Sequence, residues 1–185
     1  MRKYLASDYL ESKYTSTQED KNLITYWKLI YQLDEKYNLS GEYNSSLEDY
    51  YMEIISLLDL IDFKVELGWK IRENVELLAS LTFKYLHTNY YFDIQAEKTV
   101  NKLYNIYKEK NSDYLNSAEK QLMLDKEYSF KIRVQDKISR IFAFVEGKEI
   151  KVTTEKITDT LGDLFNYCMI YLIWDEKGQP DLFIM

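Results

Sequence analysis

Three acids in the C-terminal part of the chain, Glu155, Asp159 and Asp163, recur every four residues, so on a helix they project from one stripe. Acids in a first helical turn ordinarily complement the helix dipole, which accounts for Glu155 and Asp159. Asp163 stands further in, beside the apolar run from Leu164 to Trp174, where a carboxylate needs a cation or hydrogen-bond donors to remain charged. Upstream, Arg133, Lys137 and Arg140 at i, i+4 and i+7 form a basic stripe with Asp136 beside it. The plainer reading of that stripe is a solvated face with internal ion pairs. The chemical reading sets it against the acidic helix across a short turn near residues 146–153, which favours antiparallel packing. Asp136, Asp159 and Asp163 would then be placed to hold Mg²⁺, which takes one or two protein carboxylates and fills its octahedron with water and phosphate oxygens. Neighbouring Arg and Lys would take the phosphates.

Other reactive side chains offer less. Asp59, Asp62 and Glu66 make a second acidic stripe with no basic residue locally paired to it, so a solvated face is expected. His87 stands alone and Cys168 lies inside an apolar segment, and both read as structural. The sequence contains no Gly-rich phosphate loop, nucleophile elbow or paired CxxC.

The elements that must position these groups are helices. With 1 Pro and 5 Gly in 185 residues, the chain has few devices for tight hairpins, and Leu, Lys, Glu and Ile favour helix. Leu23, Tyr26/Trp27, Ile30 and Leu33 mark a helix from Thr17 to about Tyr37, stopped by Asn38 to Gly41. Ser46 reads as the N-cap of a second helix, with Tyr51, Ile54/Ile55, Leu58 and Ile61 as its stripe. That helix either continues to Tyr85 or breaks at Gly68, and the segment from His87 ends it. Further helices are expected from Ala96 to about Lys110, from Tyr128 to Val145, and from a Thr153 or Thr154 cap to Trp174. Residues 1–17 read as a loosely attached arm or short helix. The expected fold is an all-α bundle of about five to seven helices, with an N-terminal half over 1–90 and a C-terminal half over 91–185 in one compact unit.

Composition narrows the partners. The formal charge of −7 disfavours general attraction to a DNA or RNA backbone, so any nucleotide must meet a local basic pocket. One Cys excludes an internal disulfide framework, and one His excludes zinc sites built on several imidazoles. The basic N-terminus lacks the apolar core of a secretory signal, and no apolar run approaches the roughly 20 residues that span a bilayer. A cytoplasmic protein away from membranes is expected.

In order along the chain, Lys110-Asn-Ser-Asp113-Tyr114, then Arg133-Val-Gln-Asp136-Lys137-Ile-Ser-Arg140, then Glu155-Lys-Ile-Thr-Asp159-Thr160-Leu161-Gly-Asp163-Leu164-Phe-Asn166-Tyr167 resemble the motifs of the nucleotide modification associated domain 1 family. That family occurs in phages and their bacterial hosts and is similar to the all-α nucleoside triphosphate pyrophosphatases of the MazG and dimeric dUTPase type. The resemblance covers about residues 96–174. It implies a MazG-like C-terminal half, phage origin with a bacterial host cytoplasm as location, and a homo-oligomer. It also implies Mg²⁺ on Asp136, Glu155, Asp159 and Asp163, and a nucleotide held by Lys110, Asp113, Tyr114, Arg133, Lys137, Arg140, Asn166 and Tyr167. Two positions depart from the pattern: Leu115 replaces the usual Gly and Thr158 an expected acid. The paired acidic motif of the pyrophosphatases is absent as well. Capture of a nucleotide or nucleotide-derived signal, as in sequestering an immune messenger, is therefore the leading expectation. Mg-dependent pyrophosphohydrolysis and a purely structural or protein-binding bundle are the alternatives. Tyr26, Trp27, Tyr50, Tyr51 and Trp69 in the N-terminal half are expected to be core in preference to pocket or dimer interface.

Overall fold

A computed structural model describes the backbone over residues 18–113, 126–147 and 156–176, and side chains over 23–109, 126–147 and 156–176. Among these residues there are six helices and no strand: α1 Gln18–Tyr37, α2 Leu47–Glu66, α3 Arg72–Tyr90, α4 Ala96–Asp113, α5 Lys126–Val145 and α6 Ile157–Glu176. The protein is an all-α helical bundle. The arm at 1–17, the Thr153 or Thr154 cap and the apolar end Leu182 to Met185 lie outside the described residues. No helix among those described is long and apolar enough to cross a membrane.

The bundle is organised on α6. Twelve of its twenty residues are buried, from Thr160 to Trp174, so this helix is apolar nearly all round and must be enclosed. It packs most extensively on α3 and α5, and α1 and α4 cover the remainder. Gly162 allows a close approach of α4, because a Cβ there would meet Leu103 Cδ2 at 3.3 Å. A single hydrophobic core runs through helices of both halves. Much of it is tyrosine: Tyr50 and Tyr85 stack at 4.4 Å, and Tyr26 meets Tyr104 edge-on at 5.0 Å.

Local chemistry sets the helix ends. Ser46 caps α2 through a capping box, its Oγ accepting from the Asp49 N–H while the Asp49 carboxylate accepts from the Ser46 N–H. The apolar stripe that runs on toward Tyr85 is two helices, not one. Leu67 ends α2, and Gly68 takes a positive φ of 67°, which turns the chain into α3 at little steric cost. The next helix outlasts the expected stop: α3 continues to Tyr90, with His87 in its last turn stacked on Phe83 and hydrogen-bonded through Nδ1 to Thr99.

Helix α2 packs chiefly on α5 and α3. The acidic stripe Asp59, Asp62, Glu66 is only partly solvated, which corrects the sequence expectation. Lys131 of α5 lies 3.3 Å from Asp62 Oδ2, and Gln135 donates to the same oxygen at 3.1 Å. The basic partner was distant in sequence, so local spacing did not reveal it. Among the expected core aromatics, Tyr26, Trp27 and Tyr50 are buried and Tyr51 stacks on Phe142. Trp69 is the exception and is 56% exposed.

Candidate functional site

The amphipathic pattern of α5 turns Phe130, Val134, Ile138 and Ile141 into the core and leaves the basic stripe along the seam with α6. Lys137 is drawn inward. Its Nζ lies 3.2 Å from Asp163 Oδ2 and 3.5 Å from Asp136 Oδ2, with side chains of Lys137 and Asp163 only 9% and 12% exposed. The cation that a buried Asp163 requires is therefore Lys137, delivered across the helix pair. Arg140 Nη2 reaches Asp136 Oδ2 at 3.3 Å, one turn along α5. The result is a chain of charge, Arg140 to Asp136 to Lys137 to Asp163, bridging two helices.

Tyr167, one turn beyond Asp163, is half-buried beside this chain. Arg133 Cζ lies 5.8 Å and Lys137 Nζ 5.9 Å from the centre of its ring, within the range at which the ring face attracts a cation. Among the described residues, three cations (Arg133, Lys137, Arg140) and two carboxylates (Asp136, Asp163) meet along this seam. A half-buried aromatic ring beside a guanidinium and an ammonium suits a planar anionic ligand.

The other candidate residues divide into three groups. Asp159 is exposed, and its Oδ2 accepts a hydrogen bond from the Lys156 N–H at 3.1 Å, so it caps the start of α6. Asn166 is buried and its polar atoms are committed inside the bundle. Its Oδ1 accepts from Tyr26 OH at 3.2 Å and its Nδ2 donates to the Leu103 carbonyl at 3.1 Å, tying α6 to α1 and α4. Asn166 thus does not serve as a seam contact, because a helix residue one position before Tyr167 faces a different neighbour. Tyr114, Glu155 and the side chains of Lys110 and Asp113 lie outside the described residues.

A resident Mg²⁺ is poorly matched by the carboxylates in view. The position that Asp136 and Asp163 share is taken by the Lys137 ammonium, which pairs with both. No group of three His, Cys, Asp or Glu side chains suited to a metal forms among the described residues.

A second charged cluster, invisible to sequence reasoning, sits at the other end of α6. Arg72 of α3 donates to Asp175, Glu176 and Glu76, and Lys126 of α5 pairs with Asp175 and lies over the Tyr171 ring. Burial pushes the Asp175 carboxyl up, but its hydrogen bonds from Lys126 and Arg72 outweigh that and hold it below the usual carboxylate value. Its charges are mutually satisfied, so it reads as a clasp between three helices. Cys168 is buried and its thiol is pushed up by desolvation, which makes it a poor nucleophile.

Comparison with protein-family models, curated proteins and solved structures finds no match to this chain. The functional reading rests on the seam itself.

Proposed function

We propose that the α5–α6 seam captures a nucleotide or nucleotide-derived signalling molecule and holds it without turnover. One observation carries the reading: the Tyr167 ring is flanked by both Arg133 and Lys137 on the seam between two helices. In this reading Tyr167 stacks on the base, and Arg133 and Arg140 take the phosphates through charge-assisted hydrogen bonds. Lys137 is held in register by Asp163. Capture is favoured over Mg-dependent hydrolysis because Lys137 already supplies the positive charge between Asp136 and Asp163 that a divalent ion would otherwise bring. Capture without turnover is the chemistry a sequestering protein needs.

A thermal-shift panel of nucleotides and cyclic nucleotides, with and without Mg²⁺, tests this. A ligand at a hundred times its Kd stabilises the native state by about 2.7 kcal/mol, which for a chain of this size raises Tm by about 5–10 °C. The ligand should be recovered intact after denaturation. Recovery of a monophosphate and pyrophosphate would establish hydrolysis instead, and no shift with any nucleotide would leave the seam as a structural ion-pair ladder.

A further inference from the structure

Helix α2 carries a second apolar face that stands exposed among the described residues. Its inner face, Tyr50, Ile54, Leu57, Leu58 and Ile61, is buried against α3 and α5. At about 100° per residue, Met52, Ser56, Leu60, Phe63 and Leu67 fall within an arc of about 80° on the side away from that core. Met52 is 57%, Leu60 43%, Phe63 54% and Leu67 49% exposed. Trp69 extends the stripe, its ring edge-on to Phe63 at 6.1 Å. Between Met52 and Leu67 the polar member is Ser56, which donates its hydroxyl to the Met52 carbonyl within the same helix, while Asp49 falls in the same arc at the capped start of α2.

We infer that this stripe is a homodimer interface, in which α2 packs antiparallel on α2 of a second copy about a two-fold axis near residues 59 and 60. The spacing of the stripe is nearly palindromic about that point, as an isologous interface requires. Met52 then opposes Leu67 of the other copy, and the small Ser56 opposes the large Phe63, a knob set against a recess. Leu60 meets its own symmetry mate near the axis. The stripe is about 22 Å long at 1.5 Å per residue. Its area also fits. Five large side chains, each about half exposed and each worth roughly 150–250 Å² when whole, present on the order of 500 Å² of apolar surface. A standard interface buries about 800 Å² per partner, some 60% of it apolar, which is the same quantity.

The geometry also sets a penalty that identifies the arrangement. An antiparallel two-fold places like edges of the two helices side by side, and Asp59 lies on one edge of the stripe at the axis. The two Asp59 carboxylates therefore face each other, and like charges so placed repel. This inference is independent of the nucleotide reading.

Sedimentation equilibrium of the full chain tests it. The wild type is expected to dimerise reversibly. Phe63→Glu and Leu60→Lys, both at exposed positions, should weaken association at least tenfold while keeping the wild-type circular dichroism and melting temperature. Asp59→Asn should tighten association several-fold at low salt, and the wild type should tighten likewise as salt rises. Should Phe63→Glu fail to fold, the Leu60→Lys and Asp59→Asn pair still decides. A wild type that stays monomeric at all concentrations, including one that takes up some other partner on this stripe, overturns the inference. So does a dimer that Leu60→Lys and Asp59→Asn leave unchanged.

Discussion

Replacing Asp163 with Asn should strip Lys137 of its cross-helix partner while leaving the ammonium buried. Breaking a buried ion pair by removing one member generally costs about 3–5 kcal/mol, because the remaining charge is left desolvated. Here Lys137 keeps a contact to Asp136 at 3.5 Å on the exposed side, so part of the loss is recovered. A destabilisation of about 2 kcal/mol follows, equivalent to about 4–8 °C in Tm for a chain of this length. Urea unfolding followed by far-UV circular dichroism measures it, and an unchanged m-value confirms that native and denatured states are otherwise the same. The double variant Lys137→Met/Asp163→Leu removes both charges and fills the space with apolar atoms, so it should be more stable than Asp163→Asn alone. The reasoning is refuted if Asp163→Asn lies within about 0.5 kcal/mol of wild type, the scatter expected of an ordinary surface substitution.

Gly68→Ala should cost about 1 kcal/mol through the positive φ alone, since nothing lies within 4 Å of a Cβ there; equilibrium unfolding reads it, and Gly68→Asn should recover part of the loss. Asn166→Leu should destabilise the bundle by about 2–3 kcal/mol, because Tyr26 OH and the Leu103 carbonyl both lose their buried partner. Burial lowers the His87 pKa from its ordinary 6.5, so its contribution is complete above pH 6.5 and is lost as pH falls through the folded-state value; an NMR titration of the single imidazole should show that depressed midpoint. Asp175 titrates below its usual 3.8, so the clasp adds stability above that pH and loses it on further acidification, a step that Asp175→Asn should abolish in acid-unfolding curves.

Helix identity was legible because it depends on periodicities that the residues carry themselves. The stripe at Tyr26/Trp27, Ile30 and Leu33 needs only its own spacing to declare α1, and Ser46 with Asp49 declares the start of α2. The seam was legible for a related reason: a carboxylate at Asp163 beside an apolar run demands a counter-charge, and the neighbouring helix offered one. Which cation answered was not legible, since the choice of Lys137 over Arg140 depends on how α5 is rotated against α6. Asn166 adjoins Tyr167 in the motif, but one residue on a helix turns a side chain by about 100°, and that turn carries Asn166 into the core against Tyr26 and Leu103. The Arg72–Asp175 clasp joins residues over 100 positions apart, and no local pattern announces such a pair. Trp69 was misjudged because aromatic residues are usually buried, and only the turn at Gly68 carries it out to solvent.

Isothermal titration of a nucleotide selected by the thermal screen, into wild type, Tyr167→Ala and Arg133→Ala/Arg140→Ala, addresses the seam most directly. Those side chains are partly exposed, so the variants should keep the wild-type fold. Binding is predicted to weaken at least tenfold in both variants, to weaken with added salt in the wild type, and to give a finite heat that ends at saturation. Unaltered affinity in both variants, or a continuous heat of turnover that depends on Mg²⁺, would contradict capture at this seam.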